Sequence, residues 1–170
     1  MRILRMSVVR AALVLGVVVV ADQLSKRAVE NSIAPGEEQN VFPGVSLVYS
    51  RNHGVAFGLQ PGSNAGVTVL IGLALAVLLV YFVRHRSDPW MWLPTGMLFG
   101  GAIGNLIDRI RHGGVTDFIK LPLGWPPFNI ADASITLGVV ILFLLIDHRR
   151  HRRRRSEIGQ QIGQQKGQRE

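Results

Sequence analysis

Four apolar stretches, each about 16–20 residues long, limit this chain more than anything else in it. They run from about Val8 to Leu24, Val67 to Val83, Met91 to Ile110, and Ala131 to Ile146. Each approaches the length that crosses the hydrocarbon core of a bilayer, and three are dominated by Leu, Val, Ile and Ala. Lipid offers the backbone no hydrogen-bond partners, so segments of this kind must satisfy their own N–H and C=O groups as helices. A chain of 170 residues that is 48% hydrophobic and 18% charged is too apolar for an ordinary soluble domain. The sequence therefore predicts an all-α membrane protein with four transmembrane helices, over about 8–24, 67–83, 91–110 and 131–146. Arg2 and Arg5 ahead of the first stretch resemble a signal peptide. The stretch ends in Asp22-Gln23-Leu24-Ser25-Lys26 without a small-residue cleavage site, so it reads as a retained helix.

Charge sets the expected orientation. Arg2, Arg5 and Arg10 flank the first stretch, Arg84 and Arg86 separate the second and third, and an arginine run follows the fourth. These segments share one side, which the positive-inside rule makes cytoplasmic, with both termini there. Lys26 and Arg27 oppose the bias locally without reversing it. The net charge of +8 is concentrated in the tail: residues from His148 onward carry a surplus of six positive charges, and the first 147 residues a surplus of two. Directly after an apolar helix, Arg149 to Arg155 reads as an anchor for anionic phospholipid headgroups rather than a nucleic-acid arm. Residues 1–148 are expected to form one membrane-embedded domain. Residues 149–170, basic and then rich in Gln and Gly, are expected to be a disordered cytoplasmic tail.

Two loops then face the outer side. In the first, Pro43-Gly44 followed by alternation from Val45 to Tyr49 predicts a small β-hairpin on the membrane surface between the first two helices. The second carries Trp125-Pro126-Pro127-Phe128, an aromatic and helix-breaking segment suited to headgroups. There is no cysteine, which excludes thiolate chemistry, and the histidines lack metal-ligand spacing.

Polar residues at membrane depth are costly and point to function. In the third stretch Gly96, Gly100 and Gly104 share one face, where another helix can approach closely. Asn105, Asp108 and Arg109 follow at neighbouring positions of the helix surface. Asp108 fits either a structural ion pair or a functional role, and Arg109 offers a guanidinium that can hold a peptide carbonyl. Asp22 and Lys26, four apart, suit an interfacial ion pair. Ser25 and Lys26 are adjacent on a helix and do not face each other, which disfavours a Ser-Lys hydrolase. Asn52 suits a turn or a substrate contact. Asp132 could serve as an acid in the first turn of a helix capped by Asn129, and Asp117 could be a loop residue. Taken together, the two lie within folding reach on the same side. Two converging carboxylates can share one proton, so that one activates water and the other donates to a carbonyl.

Five segments occur in order: Asp22-Gln-x-Ser-Lys26, Asn52-x-Gly-x-Ala-Phe57, Gly100-Gly-Ala-x-Gly-Asn105-x-x-Asp-Arg109, Val115-x-Asp-Phe118 and Phe128-Asn-x-Ala-Asp132. Together with the four spans they closely resemble the lipoprotein signal peptidase family (signal peptidase II) over about Leu15 to Asp147. The resemblance implies an aspartic endopeptidase of the bacterial inner membrane, its site facing the periplasm. Such an enzyme cuts the signal peptide from diacylglyceryl-modified prolipoproteins just before the lipidated cysteine. It implies Asp117 and Asp132 as the catalytic pair. Asn52, Asn105, Arg109 and Asn129 would hold substrate or orient the dyad, and Asp22, Lys26 and Asp108 would be structural. It also implies a periplasmic β-cradle, no metal or organic cofactor, and inhibition by globomycin. The competing class is a non-enzymatic transporter or scaffold using Asp108, Asp117 and Asp132 for ion coupling, against which no repeat symmetry is visible. A lipid phosphatase lacks the cationic cluster it would need on the outer side.

Overall fold

The computed structural model describes residues 2–53, 64–85, 88, 90–122 and 124–167. Four helices account for most of it: α1 (Arg2–Ser32), α2 (Asn64–His85), α3 (Trp92–His112) and α4 (Ile130–Gly167). Among the described residues, α1 over Met6–Ser32 and α4 over Ile130–His151 are long and apolar enough to cross a membrane, and α2 holds a shorter apolar segment, Gly72–His85. Exposed apolar side chains on α1 fall at Leu13, Val17, Val20 and Leu24, one stripe at helical spacing. α2 exposes Val69, Leu73 and Val77, and α4 exposes Leu137, Phe143 and Leu144. Water disfavours such stripes, and lipid accommodates them.

The helices meet where the glycines predict. A methyl group at Gly96 would lie 2.6 Å from the Ala11 carbonyl oxygen, and one at Gly100 would lie 2.8 Å from Val18 Cβ. The small-residue face of α3 therefore rests on α1, backbone close to backbone. Gly101 meets α4 in the same way, 2.5 Å from the Ala131 carbonyl oxygen. α3 ends on Gly113, whose positive φ of 71° lets its N–H close on the Arg109 carbonyl.

The predicted hairpin is present as β1 (Glu38–Phe42) and β2 (Val45–Asn52), turning at Gly44 with φ of 82°. It is not the whole sheet. A third strand, β3 (Val115–Lys120), comes from the segment between α3 and α4 and pairs antiparallel with β2, giving the order β1-β2-β3. The expectation of an all-α chain with a hairpin between its first two helices is corrected accordingly, as is the reading of Asp117 as a loop residue. The strand is six residues long, and its partner lies far back in the chain, so local pattern could not place it. The register of β2 against β3 slips between Leu47 and Ser50, a bulge beside the residue opposite Asp117. Val29, Ile33 and Phe118 form a buried cluster that seats the sheet on the end of α1.

The backbone of α4 continues past the apolar stretch as helix to Gly167. Arg, Gln, Glu and Lys are good helix formers, and no proline interrupts the run.

Candidate active site

The site gathers where the ends of α1, α3 and α4 meet the sheet. Asn129 caps α4: its Oδ1 accepts the Asp132 N–H at 2.9 Å, while Asp132 Oδ2 accepts the Asn129 N–H at 3.3 Å. This is a capping box built from Asn and Asp, so the first turn of α4 holds the Asp132 carboxylate in place. The Asn129 side chain also reaches across to β3, donating from Nδ2 to Asp117 Oδ1 at 2.6 Å. One fully buried asparagine is thus bonded to both aspartates. Asn52, at the end of β2, donates to the other Asp117 oxygen at 3.1 Å. Asn105 donates from Nδ2 to Asp132 Oδ1 at 2.8 Å. The pair predicted from sequence is brought together, and three amides surround it.

Asp117 is 97% removed from solvent, at 3% exposure. Burial pushes its carboxyl up to about 6, and the neighbouring Asp132 charge adds to the rise. Hydrogen bonds from Asn52 and Asn129 and the Lys26 charge pull the other way without cancelling it. The environment therefore raises the proton affinity of Asp117 above that of a free carboxylate.

A second cluster adjoins the first. Lys26 Nζ lies 2.8 Å from Asp22 Oδ2, 2.8 Å from Asp108 Oδ2, and 3.0 Å from Asn105 Oδ1. All four residues are buried. An ammonium has three N–H donors and no acceptor. These contacts use all three, and they force Asn105 to turn its oxygen to Lys26 and its NH2 to Asp132. Gln23 donates to Asp108 Oδ1 at 2.8 Å, and Asp22 Oδ1 accepts the Ala131 N–H at 2.9 Å. Asp22 thereby caps α4 from α1 while it pairs with Lys26. A methyl group at Gly104 would lie 2.6 Å from Asp22 Oδ2, so α3 leaves room for this carboxylate.

Arg109 is half-buried, and among the described residues its side chain makes one hydrogen bond, Nη1 to the Asn105 carbonyl at 3.3 Å. Its charge acts on Asp108, Asp117 and Asp132. The Ser25 hydroxyl donates to the Asp22 carbonyl of its own helix at 2.9 Å and takes no part in the site. Gly54, Ala56 and Phe57 of the second motif lie outside the described residues.

Two residues went unnoticed in the sequence. Thr116 is fully buried, and its hydroxyl donates to Glu30 Oε1 at 2.7 Å. Glu30 continues the four-residue spacing of Asp22 and Lys26 along α1, which was the available signal.

Residues 14–147 match the family described as "Signal peptidase (SPase) II". The chain belongs to the signal peptidase II family. The lipoprotein signal peptidase of Syntrophomonas wolfei is 41% identical over 130 residues, covering 76% of this chain and 87% of its own length. That of Moorella thermoacetica is 42% identical over 135 residues, covering 76% and 88%. A bacterial membrane enzyme solved by the in meso method at 2.3 Å superposes with a TM-score of 0.74 at 30% identity, covering 80% of this chain and 86% of that one. Signal peptidase II membership makes the chain a peptidase of lipoprotein processing and a membrane protein, and the reading as a non-enzymatic transporter or scaffold falls. The signal peptidase II match stops at residue 147, short of the basic end of α4.

Proposed function

We propose that Asp117 and Asp132 are the catalytic dyad of an aspartic endopeptidase that cleaves diacylglyceryl-modified prolipoproteins before the lipidated cysteine. The observation that carries this reading is Asn129, bonded at once to Asp117 and to the Asp132 backbone and carboxylate. It holds two carboxylates at one site. Asp117, its carboxyl raised to about 6, serves as the acid of the pair and Asp132 as the base. Asp132 removes a proton from water as the water oxygen attacks the scissile carbonyl carbon. Asp117 gives its proton to the carbonyl oxygen as that oxygen gains negative charge. When the tetrahedral intermediate collapses, the C–N bond breaks. The proton taken by Asp132 passes to the leaving amine, and the hydroxyl proton returns to Asp117.

Asn52, Asn105 and Asn129 orient the carboxylates. Arg109, with donors left over from its bond to Asn105, holds a carbonyl of the substrate peptide. Asp22, Lys26 and Asp108 keep the helix ends together. All four helices span the inner membrane, with termini in the cytoplasm and the dyad at the periplasmic edge. There the acyl chains of a substrate remain in lipid while its peptide enters between α3 and α4. Residues 1–148 form the peptidase domain, and the basic end of α4 contacts phospholipid headgroups. Globomycin would occupy the same site.

The test uses purified Asp117→Asn and Asp132→Asn proteins with diacylglyceryl-modified prolipoprotein and, as a control, unlipidated precursor. The dyad reading requires loss of cleavage in both variants, and wild-type cleavage by either one sinks it. The absence of cysteine makes the orientation measurable as well: Val41→Cys should react with a membrane-impermeant thiol reagent added from the periplasmic side.

A further inference from the structure

Thr116 holds β3 to three helices at once. Its N–H donates to Asp108 Oδ2 on α3 at 3.1 Å, its carbonyl accepts from Asn129 Nδ2 at the start of α4 at 3.3 Å, and its hydroxyl donates to Glu30 Oε1 on α1 at 2.7 Å. Any residue except proline could make the first two bonds at this position. The third needs a hydroxyl. Arg51, directly opposite Thr116 in the β2–β3 register, places Nη2 3.4 Å from the same Glu30 oxygen. Glu30 therefore grips both strands at one rung, next to the rung that carries Ser50 and Asp117. Side chains alternate along a strand, so Thr116 and Phe118 face α1 while Asp117 faces the amides.

From this geometry we infer that Thr116 and Glu30 are a positioning pair for Asp117. Their bond fixes where the strand sits along α1, and with it the distance from Asp117 to Asp132. The inference rests on Asp117 being catalytic and adds residues that touch neither substrate nor the reacting atoms. The Thr116 hydroxyl is fully buried and bonded to a carboxylate, the strong kind of hydrogen bond. Without it, apolar packing of Phe118 against Val29 and Ile33 still holds the sheet on α1, but the rung nearest Asp117 can slide.

The experiment measures steady-state cleavage of diacylglyceryl-modified prolipoprotein by full-length Thr116→Val, Thr116→Ser, Glu30→Met, the Glu30→Met/Thr116→Val double variant and Asp117→Asn. Thr116→Val keeps the shape of the side chain and loses the hydroxyl, so kcat should fall about tenfold with KM changed less than about twofold. Thr116→Ser should recover most of the loss. Glu30→Met reads the same bond from α1 and keeps the test open if Thr116→Val does not fold. The double variant should be no slower than the slower single one. Wild-type kcat in both Thr116→Val and Glu30→Met overturns the inference, as does a Thr116→Ser protein as slow as Thr116→Val. An inactive Asp117→Asn beside unimpaired Thr116→Val and Glu30→Met removes the positioning pair alone. Wild-type cleavage by Asp117→Asn removes the dyad beneath it.

Discussion

Two neighbouring clusters use the same side chains for opposite ends. In one, Asp22 and Asp108 flank the Lys26 ammonium, each at 2.8 Å. In the other, Asp117 and Asp132 are bonded to the neutral amides of Asn52, Asn105 and Asn129. A buried ammonium holds a carboxylate ionised and fixed, because protonating the acid would leave the cation without a partner. An amide donates to a carboxylate without supplying charge, so burial and the second carboxylate can raise the proton affinity of the first. The kind of partner, rather than the depth or the acid, separates the two pairs of aspartates. Asn105 belongs to both clusters, with its oxygen on Lys26 and its NH2 on Asp132.

The contrast is sharpest in the largest expected effect. Asp117→Asn and Asp132→Asn should each lower kcat by at least about 10³-fold while the protein stays folded, measured by cleavage assay and thermal melting together. Lys26→Met should do the reverse in kind: stability should fall by about 3–5 kcal/mol because two buried carboxylates lose their counter-charge. Adding Asp108→Asn should restore part of that loss. If Lys26→Met melts like wild type, the two clusters do not differ as described. Asn105→Ala cuts the link between them, and kcat should drop about 10–100-fold with a smaller change in melting temperature.

The smallest effect is in pH dependence. The Asp117 carboxyl is raised to about 6, so its protonated form is lost as pH climbs through that value, and kcat/KM should decline on the alkaline side. Asn52 lowers this carboxyl, so Asn52→Ala should move the alkaline limb to higher pH. Linkage fixes the sign for stability. A folded-state value above the ordinary one contributes stability that is full below the ordinary carboxylate range and lost as pH rises through about 6. The melting temperature of Asp117→Asn relative to wild type should therefore increase between pH 5 and pH 8, the range that brackets the titration. A constant difference over that range would contradict the assignment.

What could be read from the sequence follows from the range of the interactions. Gly96, Gly100 and Gly104 encode a helix face directly, and the structure lays that face on α1. Asp22 and Lys26 are one turn apart, and their pairing needs no knowledge of the fold. The capping of α4 by Asn129 was equally local. Convergence of Asp117 with Asp132 was not. It depends on β3 finding β2 across the chain and on a bulge between Leu47 and Ser50, neither of which has a local pattern. The motif order supplied that pairing where physical reasoning could only allow it. Glu30 and Thr116 were missed because an acid near the end of a helix and a threonine in a short strand each look ordinary until they are seen 2.7 Å apart.

The bond from Asp22 to the Ala131 N–H joins residues 109 positions apart, and the dyad hangs on the turn it caps. During synthesis α1 is made first and its carboxylate must wait, with Lys26, for α4 to emerge. No shorter nascent chain contains both halves of the site. The cluster of Asp117 and Asp132 thus closes only once the first turn of α4 has joined the ends of α1 and α3.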